Sequence, residues 1–244
     1  MLRSIPALLA IGLSSCHFHY SDHITVDGVR LREQHQEVLP LEAWDPSGLA
    51  IESNQGDIEV RHDEGPTVLI VTVHERVKGD AYARIEDGRL VARSHSGTPC
   101  AIGDVEVKTS GPIPGLSLST GMGDVALHRV KVEGRLHVSS GMGDVEIHHA
   151  GKPGEIELYT GMGDVEANHV QCRQLKANTG MGDVEVNGIE GGELELNSGM
   201  GDVEVVRSSG KKIRAETGLG DVELIESSFS ERRLDTGLGS VTER

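Results

Sequence analysis

The segment Thr179-Gly180-Met181-Gly182-Asp183-Val184-Glu185-Val186 is one copy of a unit that returns along most of the chain. Full copies begin at Gly121, Gly141, Gly161, Gly180 and Gly199. Copies with Leu in place of Met begin at Gly218 and Gly237, and Ala101-Ile102-Gly103-Asp104-Val105-Glu106-Val107 is a degenerate one. The step is 20 residues between the earlier copies and 19 between the later ones. A short apolar unit at a fixed period of about 20 to 50 residues marks a repeat architecture.

Counting each copy from its first glycine as zero, positions −5 and −3 are mostly apolar, as in Leu136 and Val138 or Leu194 and Leu196. Position −1 is always Ser or Thr, +4 is Val, and +6 is usually apolar. Each half alternates with period two, the signature of a strand with one buried face. The halves are out of phase: odd positions face inward before the glycines and even positions after them. A phase slip between strands requires a corner, and Gly-Met-Gly supplies one because glycine reaches backbone angles that other residues avoid.

Turns of this kind stack as parallel strands about 4.8 Å apart. The expected fold is all-β: a single β-solenoid of about eight 19–20-residue coils with an N-terminal β cap. One turn buries too little apolar surface to offset the entropy of ordering it, so stacked neighbours must share a core. Residues 41–98 are read as the cap and first coil. They contain Gly56-Asp57-Ile58-Glu59-Val60 and two β-rich runs with Asp87-Gly88 as a turn. Residues 99–244 are the repetitive solenoid. Charges at Glu231, Arg232, Arg233 and Glu243 are expected to keep its last edge soluble.

The amino terminus has a basic start, an apolar run from Ile5 to Leu13, and Leu13-Ser14-Ser15-Cys16. This is a secretory signal pattern, and its end resembles a bacterial lipoprotein signal, 1–15, with Cys16 lipidated. Residues 16–40, polar and rich in histidine (His17, His19, His23), read as a solvated tether. Cys100 and Cys172 lie in different coils at different positions, which argues against a disulfide.

The Gly-Asp-Ile-Glu-Val segment, the β-rich runs and the serial Gly-x-Gly-Asp-Val-Glu coils resemble the bacterial putative-adhesin family of β-strand-repeat domains over about residues 41–244. The resemblance implies an envelope or secreted protein and brings no catalytic residues.

The sharpest candidate site is the acidic column at +3: Asp104, Asp124, Asp144, Asp164, Asp183, Asp202 and Asp221. A second column at +5 holds Glu106, Glu146, Glu166, Glu185, Glu204 and Glu223, interrupted by Ala126. Together they carry most of a formal net charge of −16. Neighbouring carboxylates about 5 Å apart repel by roughly 0.8 kcal/mol even in bulk water. One compensation is Ca²⁺ bound along the Asp ladder; the other is bonding of each Asp to backbone N–H groups of its own corner. The latter is preferred, and no obligatory cofactor is expected.

The column Met122, Met142, Met162, Met181 and Met200 invites a soft-metal reading, but its replacement by Leu219 and Leu238 points to core packing. His128 and His148, beside His149 and His169, sit at metal-sharing distance between coils, although Asn168 and Asn187 end the column. The Ser/Thr column is expected to face inward.

These features favour a non-enzymatic, lipid-anchored protein of the bacterial cell envelope, at the outer membrane or cell surface. Its rod presents an acidic surface to an envelope protein or glycan, or serves as a scaffold. A Ca²⁺-dependent binding rod is the alternative. A polysaccharide-active β-helix enzyme fits less well, because the carboxylates repeat uniformly and Trp44 and three tyrosines are the only residues suited to stack on sugar. The acidic surface disfavours nucleic acid. End-to-end self-association through the carboxyl-terminal edge is a further expectation.

Overall fold

A computed structural model describes residues 24–244. The signal segment, Cys16 and the histidines at 17, 19 and 23 lie outside the described residues. The first strands are β1 (Ile24–Val26), β2 (Val29–Leu31), β3 (Glu33–Pro40), β4 (Leu49–Ser53), β5 (Ile58–His62), β6 (Val68–Glu75), β7 (Ala81–Glu86), β8 (Arg89–Ser94) and β9 (Ala101–Thr109). The repeats supply β10 (Leu116–Thr120), β11 (Val125–His128), β12 (Arg135–Met142), β13 (Val145–His148), β14 (Glu155–Met162), β15 (Val165–Asn168) and β16 (Gln171–Met181). They continue with β17 (Val184–Asn187), β18 (Glu190–Met200), β19 (Val203–Val206), β20 (Ser209–Leu219), β21 (Val222–Ile225), β22 (Ser228–Leu238) and β23 (Val241–Glu243).

From β10 onward, each turn contributes its even-numbered strand to a 10-stranded sheet and its odd-numbered strand to an 11-stranded sheet. All of these neighbours run parallel and in register. One column reads Leu116, Leu136, Ile156, Leu175, Leu194, Ile213, and another Val125, Val145, Val165, Val184, Val203, Val222. The phase slip is as expected: the inward positions on both sides of the corner are at most 5% exposed, from Leu116 to Leu224. The core is therefore a stack of aliphatic columns held between two sheets.

A second corner follows each short strand. At +8 the backbone enters the left-handed region, with φ of 56° at Arg129, 59° at His149, 53° at His169 and 46° at Arg207. Among the described residues, Gly188 is the one glycine at that position.

The amino-terminal end departs from the sequence reading in two places. The degenerate copy at Ala101 does not precede the turn at Gly121 in space. β5 pairs directly with β11, and β9 pairs with the opposite edge of β5. β9 runs straight through Gly103 as one strand and makes no corner, because Gly103 does not take the positive φ found at Gly56 and Gly123. It belongs to the cap, and the first turn is β4 with β5.

The second correction concerns the tether at 16–40. Its described part, 24–40, is strand: β1 and β2 form a hairpin around Asp27-Gly28 (φ 50° and 76°), and β3 pairs antiparallel with β6. β3 is the outermost strand, so it is wet on more than one side and carries polar residues that hide its alternation. Two side chains tie it down: Glu37 accepts from Ala83 N–H at 2.8 Å, and His35 Nδ1 bonds Glu75 of β6 at 3.0 Å. β7 and β8 form the expected hairpin around Asp87-Gly88.

At the other end, β22 and β23 take the register of β20 and β21 but not their composition. Arg232 stands where Ile213 is buried, and Glu243 where Leu224 is buried. The two pair at 2.7 Å. Cys100 and Cys172 are both free, and burial pushes the Cys172 thiol up to about 11.

Candidate functional site

The repeated corner is where composition, geometry and exposure depart most from a plain solenoid. Its second glycine adopts a φ that side-chained residues rarely take, +142° at Gly182. A Cβ placed there would lie 2.1 Å from the Gly163 carbonyl oxygen of the preceding turn. Glycine is required both for the angle and for the close stacking of turns.

Two side-chain ladders lock these corners together. The Ser/Thr column is buried, as its parity indicates. Each hydroxyl donates to a glycine carbonyl one turn back: Ser140 to Gly123 at 2.8 Å, Thr160 to Gly143 at 2.7 Å, Thr179 to Gly163 at 2.8 Å. The Asp column makes the second ladder. The N–H of Asp124 donates to Oδ1 of Asp57, that of Asp144 to Asp124, that of Asp164 to Asp144 and that of Asp183 to Asp164, at 2.8–2.9 Å. Asp202 and Asp221 continue it, and Ser240 ends it by donating to Asp221 at 2.7 Å.

This ladder modifies the expectation in two respects. Each carboxylate reaches the N–H of the next turn rather than its own corner, so it links turns rather than closing one. Asp57 is also a rung, lying between Asp104 and Asp124; Asp57 N–H donates to Asp104 at 3.0 Å. The sequence reading left Asp57 out because its Gln55-Gly56-Asp57 corner lacks the Gly-Met-Gly pattern.

The glutamates lie two residues further on, along the outer face of the 11-stranded sheet. Glu106 is paired with Arg61 at 2.5 Å and Lys108 at 3.2 Å. Among the described residues, no such cation intervenes in the middle of the stack. The Glu185 carboxyl is pushed above its ordinary range by partial burial and by Glu166 and Glu204 on the flanking turns.

The methionine column contradicts its expected place in the core. Met142, Met162 and Met181 are each 41% exposed and Met200 is 45%, with Leu219 and Leu238 continuing the line. Successive methionines are register partners. The side chain at +1 lies on the outside of the corner, between two glycines whose backbones press against adjacent turns. The outcome is an exposed apolar stripe running parallel to the Asp ladder.

The histidines stack in pairs, His128 on His148 at 5.3 Å and His149 on His169 at 5.0 Å between ring centres. They fall on different columns, since His149 and His169 occupy the second corner. A shallow groove on the cap, lined by Leu41, Trp44, Pro46, Ile85 and Asp87, is separate from the stripe.

Residues 134–233 match the family described as Toastrack DUF4097. Among solved structures, a putative adhesin from Bacteroides fragilis is similar, with a TM-score of 0.58 at 14% identity over 87% of this chain and 98% of that one. A putative adhesin from Parabacteroides merdae is similar as well, with a TM-score of 0.56 at 10% identity, covering 92% of this chain and all of that one (100%). At such identities the likeness is one of fold. Comparison with curated proteins found no match. Residues 134–233 are thus similar to the Toastrack DUF4097 family, and the chain as a whole shares its fold with structures named putative adhesins.

Proposed function

We propose that the protein is a non-enzymatic binding rod of the bacterial cell envelope, anchored through a lipid on Cys16, with the Gly-Met-Gly-Asp corner as its working face. The observation that carries this reading is the exposed stripe of Met142, Met162, Met181 and Met200 beside a continuous row of carboxylates. Contiguous exposed apolar surface rimmed by polar groups marks interaction sites. Methionine suits such a surface, because its flexible thioether adapts to varied partners. A matching partner is an envelope protein or glycan-bound protein that presents apolar groups flanked by lysine or arginine.

The test uses the full chain, displayed in its own envelope and also immobilised on beads. Replacing the four methionines by Ser is expected to leave the fold intact and cut retention of envelope fragments by about tenfold, since three or four exposed apolar contacts are lost. Cys16→Ala is expected to move the protein from the membrane fraction to the soluble one. Unchanged retention by the serine variant sinks the binding face, and unchanged fractionation of Cys16→Ala sinks the anchor.

A second reading, a Ca²⁺-dependent rod, has one observation in its favour. Each rung commits Oδ1 to the ladder, and the neighbouring glutamates remain crowded enough to hold Glu185 above its usual range. A ligand that binds only the native state raises its stability. Millimolar Ca²⁺ should then raise the melting temperature beyond a matched ionic-strength control. An equal effect of Na⁺ at that ionic strength leaves the Asp column as structure alone.

A further inference from the structure

The +5 and +7 columns on the outer face of the 11-stranded sheet change composition from turn to turn. The pairs are Ala126 and His128 on β11, Glu146 and His148 on β13, Glu166 and Asn168 on β15, then Glu185 and Asn187 on β17. At β13 and β15 an imidazole is flanked by two glutamates from adjacent turns. One oxygen of Glu146, one ring nitrogen of His148 and one oxygen of Glu166 lie within 4.8 Å of one another. His148 Nε2 is 3.8 Å from Glu146 Oε2. Among the described residues, neither glutamate is paired with a lysine or arginine.

We propose that Glu146, His148 and Glu166 form a three-ligand site for a borderline divalent transition metal of the Zn²⁺ class, bridging two neighbouring turns of the solenoid. Two carboxylates and an imidazole are a donor set that Zn²⁺ takes at about 2.0–2.2 Å, with a fourth position left to water. Bonds of that length in a tetrahedron put ligand atoms about 3.3–3.5 Å apart. The observed separations need only a small inward turn of two flexible glutamate side chains.

Imidazole separates this class from Ca²⁺ and Mg²⁺, which take oxygen ligands. His128 is a neighbour rather than a ligand: its ring stacks on His148 at 11° between planes, so its nitrogens point alongside the site instead of into it. The stack holds the His148 ring in place.

The outer support is Asn168. Its Nδ2 lies 3.2 Å from His148 Nδ1 and also bonds Glu166. A half-turn of that amide presents Oδ1 to a protonated Nδ1, which leaves the Nε2 lone pair free for the metal. Metal-bound histidines are oriented in this way by a second hydrogen bond. The same rotation frees the Glu166 carboxylate to bind. The site also relieves the repulsion between Glu146 and Glu166, which face each other across β13 and β15.

The test is titration of the full chain with Zn²⁺, read by calorimetry in a buffer that does not bind metal, with Co²⁺ as a spectroscopic probe. The expected result is one saturable equivalent. His148→Gln and Glu166→Gln should each weaken it at least tenfold, and Asn168→Ala by about tenfold. His169→Gln, on the other histidine column, should leave it unchanged. Bound Co²⁺ should show the intense visible bands of a four-coordinate site. Equal Zn²⁺ affinity in the wild type and His148→Gln would overturn the assignment, as would full competition by equimolar Ca²⁺. The absence of a saturable equivalent would overturn it too. These outcomes are independent of the methionine stripe, which none of the variants touches.

Discussion

Glu185 shows what a repeat costs at the level of one side chain. Copying a favourable residue into every turn also copies its charge, and parallel in-register stacking places the copies side by side. Partial burial and the Glu166 and Glu204 carboxylates raise the folded-state pKa of Glu185 above its ordinary value. A carboxyl raised in this way lowers stability at every pH above both its folded and unfolded values. That loss disappears as the pH falls through the carboxylate range near 4.3. Glu185→Gln keeps the shape and removes the charge. At pH 7 it is expected to stabilise the protein by up to about 1 kcal/mol, since repulsion at an exposed site is screened. The gain should shrink toward zero by about pH 4, because the native glutamate is then protonated as well. Melting curves of the two proteins across that pH range decide the matter. A variant that is no more stable at pH 7, or whose advantage persists in acid, would show that the column is not under charge strain.

At the scale of strands, the sequence was legible wherever one face is buried and the other wet. The alternation in Leu136-His137-Val138 and in Val145-Glu146-Ile147, and the slip of phase between them, define the inward columns by themselves. Parity failed where alternation stops. Met142 sits between two glycines at a corner, so neither strand's phase assigns it a side, and its apolar character suggested the core. It lies on the outer side of the corner, while Gly141 packs so close to the preceding turn that a Cβ there would stand 2.5 Å from the Gly121 carbonyl oxygen. β3 was obscured for a different reason: an edge strand has no strongly apolar face to betray its period. β9 carries the motif without the corner: Gly103 does not take the positive φ that Gly56 and Gly123 adopt, so the strand runs straight, a difference of backbone that the letters of the motif do not display. The cluster of Glu146, His148 and Glu166 could be found only once the order of turns was known. Within one copy the glutamate and histidine look like ordinary exposed strand residues, and the site exists only between copies.

For the molecule as a whole, the open question in any solenoid is how it stops. Parallel stacking leaves backbone donors and acceptors on both outer turns, and a further turn of the same shape satisfies them as well as the chain's own does. The amino-terminal end is closed by antiparallel strands: β6 turns against β9, β3 against β6, and β7 against β8. Among the described residues, none covers the carboxyl-terminal turn in this way. Its device is compositional. Arg232 and Glu243 occupy two core columns of the last turn and pair across its open end at 2.7 Å. Any molecule stacking there would have to bury that pair, and burying an ion pair costs several kcal/mol per charge before any attraction is regained. The pair is therefore expected to act against end-to-end association, which an exposed last turn would otherwise favour. Arg232→Ile combined with Glu243→Leu restores the composition of the preceding turn, Ile213 and Leu224, without altering the backbone pattern. Sedimentation velocity should find the native chain monomeric up to tens of micromolar and the double variant shifting to larger species as concentration rises. Either single variant leaves an unpaired charge at the end and should remain monomeric, so the hydrophobic pair, not the loss of one charge, is what permits stacking. A double variant that stays monomeric would mean that the irregular charges of β22, Glu231 and Arg233 among them, suffice to end the stack. An associating native chain would mean that the ion pair is no barrier at all.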